Sequence, residues 1–179
     1  MQDTAVKDLS SQPADQRRAA IREALEENPR QMTLILARQL GVPEVEVIRA
    51  MPLSAVQEMD VSAWEAIIRS FESLGDVHVI ASNGSVTLEC FGTFGNFSSS
   101  GDYFNVQNKS LDMHIRTKTL GAVFVVEKPG HMDGVATVSF QFYNLEGASA
   151  FKVFTTFGGK EPSAQLRAKC QAIRDRFKL

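Results

Sequence analysis

The sequence predicts an α+β fold, in which a helical N-terminal subdomain is followed by an antiparallel β-sheet covered by helices. Apolar residues recur at helical spacing up to Phe71, alternate with polar residues after Gly75, and return to helical spacing near the C-terminus. The predicted strands follow one another through short turns, which favours antiparallel pairing. We expect a loose N-terminal tail over 1–14, a helical subdomain over 15–60 and a sheet domain over 61–179.

Four short helices are predicted before the sheet, over 15–27, 32–40 and 43–51 and from about residue 62. The spacing within 36–51 is typical of a helix-turn-helix, with Gly41 at the turn. Its second helix offers Glu44 and Glu46 against a single cation, Arg49, and carboxylates oppose phosphate binding. We therefore expect a packing unit that does not bind nucleic acid, and a DNA-binding regulator is the least favoured alternative.

Seven strands are predicted, over 77–81, 85–91, 103–107, 111–117, 122–127, 136–143 and 149–157. Asn83-Gly84 between the first two is a strong hairpin signal, and the glycine- and serine-rich segment 92–101 is expected to be a loop. Ten of the twelve phenylalanines lie between Phe91 and Phe157. They predict the core of the sheet layer and the wall of a flat apolar pocket. Ser163 is expected to open a final helix.

Composition limits the class of protein. A chain of 179 residues, 44% apolar, fits one domain with a small subdomain. The net charge of −2 does not favour a general polyanion binder. We expect no membrane span, because no apolar run approaches ~18 residues, and no signal peptide, because 1–18 is polar. Cys90 and Cys170 are expected to be buried free thiols of a cytoplasmic protein.

The segment 111–116 alternates apolar and polar side chains, as a strand with one buried face does. Its polar positions are Asp112, His114 and Arg116. A neutral imidazole is the commonest protein ligand for a metal, and a guanidinium suits a carboxylate. Taken alone, His114 is more often a solvated or hydrogen-bonded residue than a ligand.

A family resemblance strengthens the ligand interpretation. Five short segments carry it in order: VTLE at 86–89, GDYFN at 101–105, MHIR at 113–116, VVEKP at 125–129 and FYNLEG at 142–147. Over 64–158 the chain resembles the intracellular haem-utilisation proteins called HutX or ChuX. That resemblance implies a cytoplasmic, homodimeric haem-binding protein that receives imported haem and passes it to a haem-accepting or haem-degrading partner.

Haem needs an apolar slot, a His or Tyr for the iron and cations for the propionates. Under the resemblance we expect His114 to be the axial ligand, with Arg116 or Lys128 as the propionate partner. Tyr103 is the phenolate alternative, and His78 is expected to be able to approach the same surface. Some family members carry a further His where this chain has Ser82, so we expect a single protein ligand to the iron.

Two alternatives concern activity and assembly. A haem-degrading enzyme is the main functional alternative, although the sequence contains no recognisable catalytic motif. The continuous apolar run Val123 to Val126 predicts a strand buried on both faces. A homodimer would complete that burial, whereas in a monomer the N-terminal helices would cover the second face.

Overall fold

A computed structural model describes residues 8–131, 134–157 and 159–179. Five α-helices are α1 Ala14–Glu27, α2 Thr33–Leu40, α3 Glu44–Ala50, α4 Trp64–Ser70 and α5 Ala164–Phe177. Nine strands are β1 Val56–Met59, β2 Asp76–Ser82, β3 Thr87–Thr93, β4 Phe97–Ser100, β5 Tyr103–Gln107, β6 Asp112–Arg116, β7 Leu120–Pro129, β8 Ala136–Asn144 and β9 Ser149–Phe154. The predicted α+β class is confirmed. Among these helices none has both the length and the apolar composition to cross a membrane.

The strands form two antiparallel sheets where one was expected. Six strands pair in the order β1-β7-β8-β9-β2-β3, and three pair in the order β4-β5-β6. The predicted β2–β3 hairpin is confirmed, and its turn is held by Asn83 Oδ1, which accepts from the backbone N–H of Val86 at 2.9 Å. The second sheet could not be read from the sequence, because strand order depends on long-range pairing.

The six-stranded sheet has an apolar core on each face. On one face, α4, α5 and the three-stranded sheet pack against residues such as Phe140 and Phe142. On the other, α1, α2 and α3 pack against Phe124, Val126 and Tyr143. The N-terminal helices therefore cover the second face of β7. The argument for a homodimer from incomplete burial of 123–126 is wrong for this reason.

Two strands were missed. β1 pairs with β7, so the sheet takes in residues before the predicted boundary at 60/61. β4 lies within the segment 92–101 that was expected to be a loop, and it pairs with β5. Each is only four residues long, too short for a clear alternation of apolar and polar side chains. The division into subdomains stays a prediction.

The start of the described chain is anchored. Leu9 is fully buried, and its backbone N–H donates to the carbonyl of Leu40. The expected loose tail is therefore wrong from residue 9 onward. Residues 1–7 lie outside the described part.

Glu44 faces the sheet and not solvent. Its carboxylate accepts from Thr33 Oγ1 and from Lys152 Nζ of β9, each at 2.5 Å. Glu46 is paired with Arg17 of α1 at 2.9 Å. The expectation that the second helix of the helix-turn-helix-like pair presents both carboxylates outward is wrong for Glu44. The pair is a packing unit, as was expected, and the surface on which it packs is the sheet, which the sequence did not predict.

Candidate functional site

The outer face of the three-stranded sheet gathers three of the five predicted site residues. In the β5–β6 register Tyr103 lies opposite Arg116 and Asn105 lies opposite His114. Because successive side chains of a strand point to opposite faces, Phe104 and the other residues of the inner face point into the core. We call the outer surface formed by Tyr103, Asn105, Asp112, His114 and Arg116 the His114 face.

The His114 imidazole is held at one nitrogen and open at the other. Nδ1 lies 2.7 Å from Oδ1 of Asn105, a normal hydrogen-bond distance. Nε2 lies 3.4 Å from Oδ1 of Asp112, which is longer than a normal hydrogen bond. The side chain is 54% exposed, so a ligand could reach Nε2 from solvent.

The two neighbours of His114 on this face have free polar groups. Within the described residues the Arg116 guanidinium and the Tyr103 hydroxyl have no hydrogen-bond partner, and both side chains are exposed. A guanidinium in this position can bind a carboxylate through two parallel N–H donors. The phenol offers either a hydrogen bond or an oxygen ligand.

His78 lies on a different surface. It belongs to β2 of the six-stranded sheet, and its ring stacks on Phe91 with 4.2 Å between the ring centroids. Nε2 lies 2.9 Å from Oε2 of Glu89. Phe154 and Phe157 complete an aromatic cluster around the ring. We call this group the His78 cluster; its residues belong to the six-stranded sheet and the segment after β9, whereas the His114 face belongs to the three-stranded sheet.

Lys128 is also separated from the His114 face. Its ammonium donates to the carbonyl of Gln31 at 2.7 Å, beneath the helical subdomain. Burial, and secondarily the charge of Lys152, lowers the pKa of Lys128 from 10.5 to about 8. The structure therefore does not bring Lys128 or His78 together with His114, and an approach of His78 to the same surface is not observed.

The phenylalanines do not form the expected wall beside His114. Phe94, Phe104, Phe124, Phe140, Phe142 and Phe151 are all buried in the two cores. The most exposed phenylalanines, Phe91 and Phe157 at 45% and 48%, belong to the His78 cluster. Apolar surface and open imidazole thus occupy different parts of the molecule.

A cleft of about 290 Å³ lies between β1, β7 and α5, and none of the five predicted residues lines it. Its lining includes Arg167, Arg174 and Cys170. Cys170 is buried and Cys90 half-buried, and both are free thiols. The cleft is therefore separate from the predicted ligand set.

The donor set of the His114 face fits haem in part. One imidazole nitrogen is open for the iron, and a guanidinium is free for a propionate. His114, Arg116 and Tyr103 are exposed, so haem bound on this face would keep one side in solvent unless another molecule covers it. This chemistry suits reversible binding of a planar, dianionic metal complex.

Asn105 was not predicted as a site residue. It is a polar side chain buried on a strand, only 6% exposed. The only indication in the sequence that Asn105 could belong to the site is its position between Tyr103 and Gln107, on the same polar face of β5. Its contact with His114 depends on the β5–β6 register, which the sequence alone does not fix.

The chain is similar to known proteins of one family. The haem utilisation ChuX/HutX family model matches residues 57–168. The intracellular heme transport protein HutX of Vibrio cholerae is 25% identical over 136 residues, which cover 75% of this chain and 69% of that protein.

Solved structures share the fold. Protein AGR_C_4470 from Agrobacterium tumefaciens is 25% identical and superposes with a TM-score of 0.80, over 95% of this chain and 97% of that chain. The heme degrading enzyme ChuS of Escherichia coli O157:H7 is 21% identical with a TM-score of 0.76, over 93% of this chain but only 48% of that chain. Because the family model matches well over half of the sequence, this chain belongs to the haem utilisation ChuX/HutX family.

Proposed function

We propose that the chain is an intracellular haem carrier that binds haem on the His114 face and passes it to a haem-accepting or haem-degrading partner. The observation that carries the proposal is the open Nε2 of His114 beside the free Arg116 guanidinium. Membership of the haem-utilisation family supports it. The similar HutX protein is named an intracellular heme transport protein, which supports the same role here.

Carrier function follows from the form of the surface. His114 would be the axial ligand, Arg116 would bind a propionate, and Tyr103 would contact the macrocycle or offer its oxygen to the iron. Haem on an exposed face with a single strong protein ligand can be extracted by a competing ligand from a partner. An exposed site therefore favours transfer over permanent retention.

A hemin titration followed by absorbance tests the proposal. We expect a shifted Soret band that saturates at about one haem per protomer. His131→Ala is the matched control for a histidine substitution, because His131 is exposed. Linear, unsaturable uptake without a spectral shift would show nonspecific adsorption and contradict the carrier role.

We propose that the chain does not itself degrade haem. The likeness to ChuS shows the fold alone, and fold does not fix chemistry. Adding a reductant under air to the haem complex distinguishes the two roles. A Soret band that persists supports a carrier, whereas its loss with release of iron would establish haem degradation.

We propose a homodimer, on grounds other than incomplete burial of β7. The chain corresponds to 48% of ChuS, so two copies would match its length. The exposed Phe91 and Phe157 side chains and the open His114 face also provide surface that a second copy can cover. Light scattering is expected to give twice 19.7 kDa, and a mass near 19.7 kDa would eliminate the dimer.

We also propose a cytoplasmic location. Free thiols at Cys90 and Cys170 support it, because thiols persist in a reducing compartment. Fractionation of cells that express the chain is expected to find it with cytoplasmic markers. Recovery with periplasmic or secreted markers would contradict this location.

A further inference from the structure

A continuous chain of polar contacts surrounds His114. It runs from Asp112 through Gln107 and Ser98 to Asn105, and from Asn105 to the imidazole. Asn105 is its buried member, directly opposite His114 in the strand register. Ser98, Asp112 and His114 are exposed, and Gln107 is half-buried. The inner nitrogen of the ring therefore meets a fixed partner, while its outer nitrogen faces solvent.

The carboxylate sets the direction of each hydrogen bond, because an ionised carboxylate only accepts. Gln107 must turn its amide nitrogen to Asp112, where Nε2 lies 3.1 Å from Oδ1. Its amide oxygen then faces the Ser98 hydroxyl at 3.5 Å and can accept a long hydrogen bond from it, which uses the only hydrogen that the hydroxyl can donate.

The Ser98 hydroxyl in turn fixes the orientation of the Asn105 amide. Once the Ser98 hydroxyl proton is directed to Gln107, Ser98 accepts from Asn105 Nδ2 at 3.1 Å. The amide oxygen of Asn105 is left facing His114 Nδ1 at 2.7 Å. An oxygen at that distance accepts, so Nδ1 carries the proton.

We infer that Asn105 is a positioning residue that holds His114 as the Nδ1–H tautomer and so keeps the Nε2 lone pair available to the haem iron. The inference rests on the proposed role of His114. Metal-binding histidines generally donate their other N–H to a protein acceptor, and loss of that acceptor typically weakens metal binding by about 10–100-fold. Asn105 supplies that acceptor here.

Without the Asn105 oxygen, the neighbouring groups favour the opposite tautomer. Asp112 Oδ1 lies 3.4 Å from Nε2 and would draw the proton to that nitrogen. A proton on Nε2 would block the nitrogen that faces solvent. Asn105 and Asp112 therefore favour protonation of opposite ring nitrogens, and the shorter contact is the one to Asn105.

The direct test needs no haem. Long-range ¹H–¹⁵N spectra of the ¹⁵N-labelled apoprotein report which imidazole nitrogen is protonated, at a pH where the spectrum shows a neutral ring. The wild type is expected to be the Nδ1–H tautomer, and Asn105→Leu is expected to shift the proton largely to Nε2. Asn105→Asp keeps an acceptor oxygen and is expected to retain the wild-type tautomer.

A second variant protects the test if Asn105→Leu fails to fold. Ser98 is exposed, and Ser98→Ala removes the acceptor that orients the Asn105 amide, together with the long contact to Gln107. It is expected to give a mixture of the two tautomers. A wild-type protein in the Nε2–H form, or variants at both positions that leave the tautomer unchanged, would overturn the inference.

Haem dissociation into excess apomyoglobin gives the second readout. Asn105→Leu is expected to speed dissociation by about 10–100-fold, and Asn105→Asp is expected to restore it to within a few-fold of wild type. If the wild type has the Nδ1–H tautomer but does not bind haem, the carrier role is overturned and the positioning of His114 by Asn105 stays supported. Haem binding that depends on His114 but not on Asn105 would overturn the positioning role alone.

Discussion

The two strand histidines occupy contrasting surfaces. His114 is 54% exposed among polar side chains, with a hydrogen bond at Nδ1 and an open Nε2. His78 is 12% exposed, its ring stacks on Phe91, and its Nε2 lies at the carboxylate of Glu89. The His78 cluster has the apolar surface that a macrocycle needs, and the His114 face has the open nitrogen that an iron needs.

Under the proposed function, the contrast favours His114 over His78 as the ligand, because Nε2 of His114 has no close partner whereas Nε2 of His78 contacts Glu89. Iron binding at His78 through Nε2 would have to break the contact with Glu89. Binding at His114 displaces only a weak contact with Asp112. Apolar cover over haem at the His114 face can come from a second molecule, whereas an occupied nitrogen on His78 cannot be freed without cost.

The largest expected effect is the loss of the proposed ligand. His114→Ala is expected to weaken haem binding roughly 100-fold or more and to move the Soret band. Loss of the ligand should cost at least as much affinity as loss of a residue that only supports the ligand, which is about 10–100-fold. His78→Ala and the control His131→Ala are expected to change affinity less than about threefold, since neither loses an iron ligand. Equilibrium titrations of the three variants measure this. Loss of affinity in His78→Ala alone would move the site to the His78 cluster.

A smaller effect is expected at the propionate partner. Arg116→Ala is expected to weaken haem binding about fivefold, because one exposed charge-assisted contact contributes ~1 kcal/mol. Titration with haem dimethyl ester, which lacks the carboxylates, should give equal affinity for both proteins. Lys118→Ala is the matched control, because Lys118 is exposed and already paired with Asp102 at 2.6 Å. A difference that persists with the ester would show that Arg116 does not act on a propionate.

Phe91, an exposed ring of the His78 cluster, tests whether haem contacts that cluster. Phe91→Ala is expected to change haem affinity less than about twofold and to lower the free energy of unfolding by only ~1 kcal/mol, since its ring is half exposed. Phe142→Ala, in the core of the same sheet, is expected to cost about 3–5 kcal/mol. Urea unfolding and haem titration measure both. A large loss of haem affinity in Phe91→Ala would show that haem contacts the cluster.

The smallest effect concerns Lys128, on the part of the sheet that the N-terminal helices cover. Its pKa of about 8 in the folded protein lies below its ordinary 10.5, so the unfolded chain holds more protons between these values. The free energy of unfolding of the wild type should therefore rise from about pH 8 to about pH 10.5. Lys128→Met should remove that rise and gain about 1 kcal/mol at pH 7, after solvent screening is allowed for. Urea unfolding across this pH range measures the slope, and equal slopes in both proteins would contradict the assignment.

Local patterns predicted the elements that carry the site. Alternation over 111–116 placed His114 and Arg116 on the outer face of β6, and Asn83-Gly84 predicted the hairpin after His78. Long-range packing decided the rest. Nothing local distinguishes Phe104, buried beneath the His114 face, from Phe91, exposed beside His78. The pairing of Asn105 with His114 needed the strand register, which alternation does not give.

Imidazole rescue tests the identity of the iron ligand most directly. His114→Gly removes the ring and leaves space at an exposed strand position, and His78→Gly is its matched control. Added imidazole should return the ferric haem spectrum of His114→Gly to that of the wild type and leave the spectrum of His78→Gly unchanged. A wild-type spectrum in His114→Gly before any imidazole is added, or a rescue seen only in His78→Gly, would contradict His114 as the ligand.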